Sequence, residues 1–105
     1  MKKILVVDDE TNIRNLIKKI LSDEFEVDTA ANGLEALKLL KNKEFDLMIL
    51  DINMPQMDGV ELMKKLKKHN VSIPIVVISV FSDPEKLIET FKLGATDFIV
   101  KPFSP

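Results

Sequence analysis

The chain contains no cysteine, so it can hold neither a disulfide framework nor a thiolate metal site. No apolar run approaches the roughly 18 residues of a membrane-spanning helix. The opening stretch MKKILVVDDE has two lysines, then only four consecutive apolar residues, Ile4 to Val7, before two aspartates. That is a poor secretory signal, and a cytoplasmic location is the expectation. A basic footprint is also missing. Lys and Arg number 15 against 17 Asp and Glu, for a net charge of −2, which offers no reading surface for nucleic acid. Arg14 is the sole arginine and His69 the sole histidine. His69 stands among lysines at a helix end, where the helix dipole is a sufficient reason for it.

What remains is ample for one packed domain of 105 residues. Short apolar runs alternate with amphipathic stretches from end to end. ILVV (4–7), DLMIL (46–50) and IPIVVIS (73–79) read as strands buried on both faces. EVDTA (26–30) is more polar, as an edge strand would be, and TDFIV (96–100) is the fifth strand. Between them lie four helices. In the first, over 11–22, Ile13, Leu16, Ile17, Ile20 and Leu21 share one face. The second, 33–42, turns Leu37 and Leu40 inward. The third, 59–69, lines up Val60, Met63 and Leu66. The fourth, 83–93, opens with Asp83 as cap and Pro84 at its first position, and stops before Gly94. Five strands alternating with four helices predict a parallel sheet with right-handed crossovers and helices on both faces. Ser104-Pro105 then reads as the start of a further helix. The expectation is one domain over 1–105, cut from a longer protein at the start of its last helix. One sheet face would then carry only the first helix. Weaker stability and self-association, as a homodimer or a swapped assembly, are expected to follow.

In open parallel sheets, sites form at the carboxyl ends of the strands, near the point where strand order reverses. Here those ends carry Asp8, Asp9 and Glu10 after the first strand, Asp51 after the third, Ser79 after the fourth and Lys101 after the fifth. If the first and third strands are neighbours, several carboxylates crowd together and raise one another's pKa unless a cation intervenes. Hard oxygen ligands favour Mg²⁺, and Lys101 adds a fixed positive charge. A carboxylate beside Mg²⁺, a hydroxyl and a lysine is a plausible phosphoryl acceptor, because phosphoryl transfer needs positioning and charge stabilisation above all.

VVDDE (6–10), LMILDINMPQMDGVEL (47–62), VVISVF (76–81) and FIVKPF (98–103) resemble the signature of response-regulator receiver domains, in order and over essentially the whole chain. The resemblance implies a flavodoxin-like, doubly wound five-stranded sheet of order 2-1-3-4-5, here with only four helices. It implies that a sensor histidine kinase phosphorylates Asp51 with Mg²⁺, and that the change spreads to an output face formed by the fourth helix, fifth strand and fifth helix. An output domain would lie in the longer parent, and any DNA binding would belong to that domain. By the same resemblance Asp9 binds the metal directly, Asp8 largely through water, and Asn53 through its backbone carbonyl. Ser79 and Lys101 bond the phosphoryl group, Phe98 is the switch aromatic that moves with Ser79, and the Lys101–Pro102 bond is cis. Three departures stand out. Phe98 has no hydroxyl, so its switch would rest on packing. Val80 is larger than the family's usual residue and is expected to narrow access and slow attack by water. The fifth helix is missing.

Simpler readings exist for each residue. Asp8, Asp9 and Glu10 could cap the first helix; Asp51, Ser79 and Lys101 could be an ordinary turn residue, hydroxyl and surface lysine; Phe98 could be core. Asp58-Gly59 reads as a turn and helix start, and Met54, Met57 and Met63 as gap-filling side chains. Three rival functions compete with this resemblance. A Mg²⁺ phosphohydrolase like the haloacid dehalogenases needs an aspartate two residues after the nucleophile, where this chain has Asn53. An interaction module that no longer takes phosphate would have lost the acidic pair, the acceptor or the lysine. An engineered receiver fragment is compatible with the abrupt end. The reading adopted is a phosphoacceptor that catalyses its own phosphorylation and slow dephosphorylation, not an enzyme with an external substrate.

Overall fold

A computed structural model describes residues 1–54, 57–80 and 84–101, apart from the side chain of Val80. The elements follow in the order β1 (Lys3–Val7), α1 (Thr11–Leu21), β2 (Glu26–Ala30), α2 (Gly33–Asn42), β3 (Leu47–Asp51), α3 (Gly59–Lys68), β4 (Ile75–Val80), α4 (Pro84–Lys92) and β5 (Asp97–Lys101). All pairings are parallel, in the order β2-β1-β3-β4-β5. Sheet order and the alternation of elements agree with expectation. The Asp83 cap, the Lys101–Pro102 bond and the helix start at Ser104-Pro105 lie outside the described residues.

Strand boundaries differ in one instructive place. β4 begins at Ile75, not Ile73. Proline has no N–H to give a ladder, and Pro74 sits just before the strand, contributing only its carbonyl, which accepts from Met48 N–H at 2.9 Å.

The central strands alternate between two cores, as a pleated strand must. Leu5, Val7, Met48, Leu50, Ile75 and Val77 face one side, where they meet Ala36 of α2 and Leu62, Met63 and Leu66 of α3. Ile4, Val6, Val27 and Ile78 face the other, where Ile17 of α1 is the buried partner. Among the described residues, that second face carries α1 alone. Its outer part stays open: Ile20 is 45% and Ile99 46% exposed. With Ile17, Leu21, Ile49 and Ile78 they line a cleft of about 190 Å³. No described helix is long and apolar enough to cross a membrane.

Two helix starts are chemically defined. Asn32 caps α2 by accepting from Glu35 N–H at 2.9 Å, and Asp58 caps α3 by accepting from Glu61 N–H at 2.9 Å. Asp58-Gly59 is thus the helix start expected of it. Gly59 is needed for a close approach. A Cβ there would lie 2.7 Å from the Ile52 Cα and 2.9 Å from the Asp51 carbonyl oxygen. Both are backbone atoms of the segment that presents Asp51. Gly59→Ala is therefore expected to cost about 1–3 kcal/mol, the usual range for an overpacked site. Urea unfolding should show a lower midpoint with an unchanged slope; an unchanged midpoint would refute the close-approach account.

Candidate functional site

The parallel register gathers the polar residues at one end of the sheet. Val7 pairs with Leu50, so Asp8 follows β1 beside the end of β3. Asp51 is the last residue of β3, opposite Ile78, and Ser79 pairs with Val100 on β5. Asp8, Asp51 and Ser79 are all buried, at 0%, 2% and 2% exposure. Burying two carboxylates side by side is unfavourable without a counter-charge.

Lys101 supplies that counter-charge. Its Nζ lies 2.9 Å from Asp8 Oδ2 and 3.2 Å from Asp51 Oδ2, with Glu10 Oε1 at 3.4 Å. The contact to Asp8 is a close ion pair, not a well-directed hydrogen bond. The Lys101 side chain is only 10% exposed, so solvent screens these pairs weakly. The other carboxylate oxygens are held by main chain. Asp8 Oδ1 accepts from Glu10 N–H at 2.9 Å, and Asp51 Oδ1 accepts from Asn53 N–H at 3.0 Å.

The electrostatics follow. Burial pushes Asp51 up to about 6, with the charge of Asp8 adding to the rise; the Asn53 N–H and Lys101 pull the other way. Burial raises Asp8 as well, opposed by the Glu10 N–H and by Lys101. Burial alone would lower Lys101, but the two aspartates outweigh it and hold the ammonium above its ordinary range. The pocket thus retains more negative charge than Lys101 can comfortably balance.

The donor set fits a hard divalent cation. Carboxylate oxygens of Asp8, Asp9 and Glu10 lie within 4.8 Å of one another. Asp9 and Glu10 are exposed, so the cluster opens to water, as suits an ion that keeps several waters. The Asn53 side-chain nitrogen is buried without a hydrogen-bond partner. A buried donor of that kind calls for an acceptor, such as a phosphoryl oxygen.

The structure therefore brings together Asp8, Asp9, Asp51, Asn53, Ser79 and Lys101. The helix-cap reading of the acidic run does not hold: Glu10 occupies the cap position of α1 and makes no side-chain cap. Nor is Phe98 core. It is 40% exposed and meets Phe91 of α4 edge-on, ring centres 5.8 Å apart; β5 is an edge strand, so its apolar letters do not imply burial. Two participants were not assigned from sequence. Glu10 reaches Lys101, and Arg14 donates from Nη1 to the Asp8 carbonyl at 2.7 Å. Arg14's standing as the sole arginine was the available signal. Val80, expected to narrow the site, has its side chain outside the described residues.

A sheet of this order with these acids at its carboxyl edge defines a class, and comparison with known proteins gives the same one. Residues 4–105 match the response regulator receiver domain, and the chain belongs to that family. It is 41% identical over 104 residues to the transcriptional regulatory protein SrrA of Staphylococcus aureus, covering 98% of this chain but only 43% of that relative. Among solved structures it is similar to the chemotaxis response regulator CheY4 of Vibrio cholerae. That match has a TM-score of 0.91 and 41% identity, and covers 100% of this chain and 90% of the other. It is similar also to the response regulator TrrA of Thermotoga maritima, solved in complex with Mg²⁺-BeF. There the TM-score is 0.85 with 40% identity, covering 98% and 89%.

The raised carboxyl of Asp51 makes a signed prediction. The folded chain holds that proton up to about pH 6, whereas the unfolded chain releases it near 3.8. Between those values the folded state binds more protons, so this group favours folding at low pH and the benefit is lost as pH rises through 6. Asp51→Asn, which mimics the protonated form, should come closest to wild type below about pH 3.8, where both folded and unfolded carboxyls are protonated. It should exceed it by on the order of 3 kcal/mol near about pH 7.5. Thermal or urea unfolding in chelator reads the difference; a gap that does not grow with pH contradicts the burial account.

Proposed function

We propose that this chain is the phosphoacceptor receiver of a two-component response regulator, with Asp51 as the residue phosphorylated. The observation that carries the reading is the buried Asp51 carboxylate at the end of β3, held 3.2 Å from Lys101 and sharing that ammonium with Asp8. A carboxylate is a competent nucleophile toward phosphorus. An Asp51 oxygen attacks the phosphorus of a phosphohistidine on a sensor kinase. The P–N bond breaks, the imidazole leaves, and an aspartyl phosphate forms. Slow attack by water at phosphorus returns the carboxylate and inorganic phosphate. The chain catalyses both steps on itself and turns over no external substrate.

Asp8, Asp9, Asp51 and the Asn53 carbonyl would hold Mg²⁺, with Asp9 and Asp51 as direct carboxylate ligands. When bound, the ion neutralises charge on the phosphoryl oxygens. Lys101 then exchanges its pair with Asp51 for one with the new phosphoryl group. Ser79 donates its hydroxyl to another phosphoryl oxygen from its place near the end of β4, and the buried Asn53 amide, without a partner of its own, would be a further donor. Phe98 would respond by packing alone, having no hydroxyl. Its exposed ring against Phe91 makes β5 and α4 one surface, and Ile88, 55% exposed on α4, extends it. This is the part of the output face described. The partners implied are a sensor histidine kinase and an output domain in a longer parent, with this chain in the cytoplasm. The curated relative, of which this chain spans 43%, is named as a transcriptional regulator. The rival module without phosphate chemistry has no observation in its favour, since acceptor, acidic pair and lysine converge.

Incubation with Mg²⁺ and acetyl phosphate, read by intact mass, tests this. One added phosphoryl group is expected on wild type, and none on Asp51→Asn or in excess chelator. An adduct that survives Asp51→Asn would refute the assignment.

A further inference from the structure

Arg14 lies in the first turns of α1, outside the set of residues that touch the phosphoryl site. Its guanidinium makes a two-pronged contact. Nη1 donates to the Asp8 carbonyl at 2.7 Å, and Nη2 donates to Thr11 Oγ1 at 3.1 Å. Its own N–H donates to the Glu10 carbonyl at 3.1 Å. The bond to Glu10 is the ordinary first-turn bond of a helix, whereas the side chain ties the beginning of the acidic loop that joins β1 to α1 to its end.

Asp8 is consequently held at every polar atom. Its N–H donates to Ala30 at 3.1 Å, Oδ1 accepts from Glu10, Oδ2 pairs with Lys101, and its carbonyl is left to Arg14. Asp8 is fully buried, so an unpaired carbonyl there would be costly. A lysine could satisfy that carbonyl, but only an arginine presents two N–H groups in a rigid fork that also reaches Thr11. In a chain whose other basic side chains are lysines and one histidine, the single arginine stands where a fork is used.

We propose that Arg14 is a positioning residue for the divalent-cation site. Its fork holds the Asp8–Thr11 loop in one geometry, so that the Asp8 and Asp9 carboxylates meet the cation already arranged. The proposal rests on the reading that these two aspartates hold Mg²⁺. Arg14 binds the backbone of one of them and does not touch the ion. Partners that orient metal ligands typically contribute ten- to hundred-fold in metal affinity.

The experiment is Mg²⁺ titration by calorimetry, with amide chemical shifts as a second readout. Wild type, Arg14→Lys, Arg14→Met and Asp9→Asn are compared at a temperature where circular dichroism shows each folded. Arg14→Lys keeps the charge and loses the fork; Arg14→Met loses both. If geometry governs, both weaken Mg²⁺ binding about ten-fold or more, and amide shifts spread over residues 8–11. If Arg14 acts only through its charge, Arg14→Lys matches wild type and Arg14→Met binds Mg²⁺ more tightly, which overturns the proposal. A role confined to stability lowers the melting temperature and leaves Mg²⁺ affinity unchanged, which also overturns it. Asp9→Asn separates the two levels. Its loss of affinity with Arg14→Lys unaffected refutes the Arg14 role alone; undiminished affinity in Asp9→Asn removes the cation site and the Arg14 role with it.

Discussion

One ammonium makes this carboxyl edge possible. Lys101 sits on the edge strand β5, with two strands between it and β1 in the sheet, yet its Nζ reaches both Asp8 and Asp51. Those two carboxylates are buried side by side, and burial already holds both above the ordinary carboxylate range. Without a shared cation they would repel each other in a medium that screens poorly. The lysine is therefore a structural counter-ion, and under the proposed function it is also the charge that a phosphoryl group would meet. The same pairing connects the site to β5, the strand that also carries Phe98 on the outer surface.

The site is also asymmetric in how it is fastened. On one side of the sheet α2 and α3 pack tightly, and Gly59 lets α3 approach the Ile52 backbone within a distance no side chain would allow. On the other, among the described residues, α1 alone covers the strands. The acidic loop belongs to that more lightly covered side, and its fastening is polar: the Arg14 fork, the Glu10 N–H and Lys101 in place of extensive packing.

Most of the fold was legible because local pattern and burial coincide in the central strands. ILVV and LMIL are continuous apolar runs because both of their faces are covered, and the acids that end them mark where cover stops. EVDTA was legible as an edge by its polarity. β5 was not, because FIV carries the same apolar letters as a buried strand and nothing in five residues says that its outer side is open. Pro74 moved the start of β4 for a local reason, its missing N–H. At the site, Asp8, Asp9, Asp51, Ser79 and Lys101 were legible as strand-end residues. Glu10's reach to Lys101 spans 91 positions, and Arg14's hold on Asp8 is made to a backbone atom. Glu10 shows in the sequence only as one more acid at a strand end, and Arg14 only by the rarity of arginine.

The measurement closest to the central claim is the carboxyl titration of Asp51, followed by carbon NMR of its side chain in chelator, in wild type and in Lys101→Met. A shared counter-ion predicts a wild-type midpoint at about 6, and a clearly higher one once the ammonium is gone. An ordinary midpoint in wild type, or one that does not move when Lys101 is replaced, would contradict it.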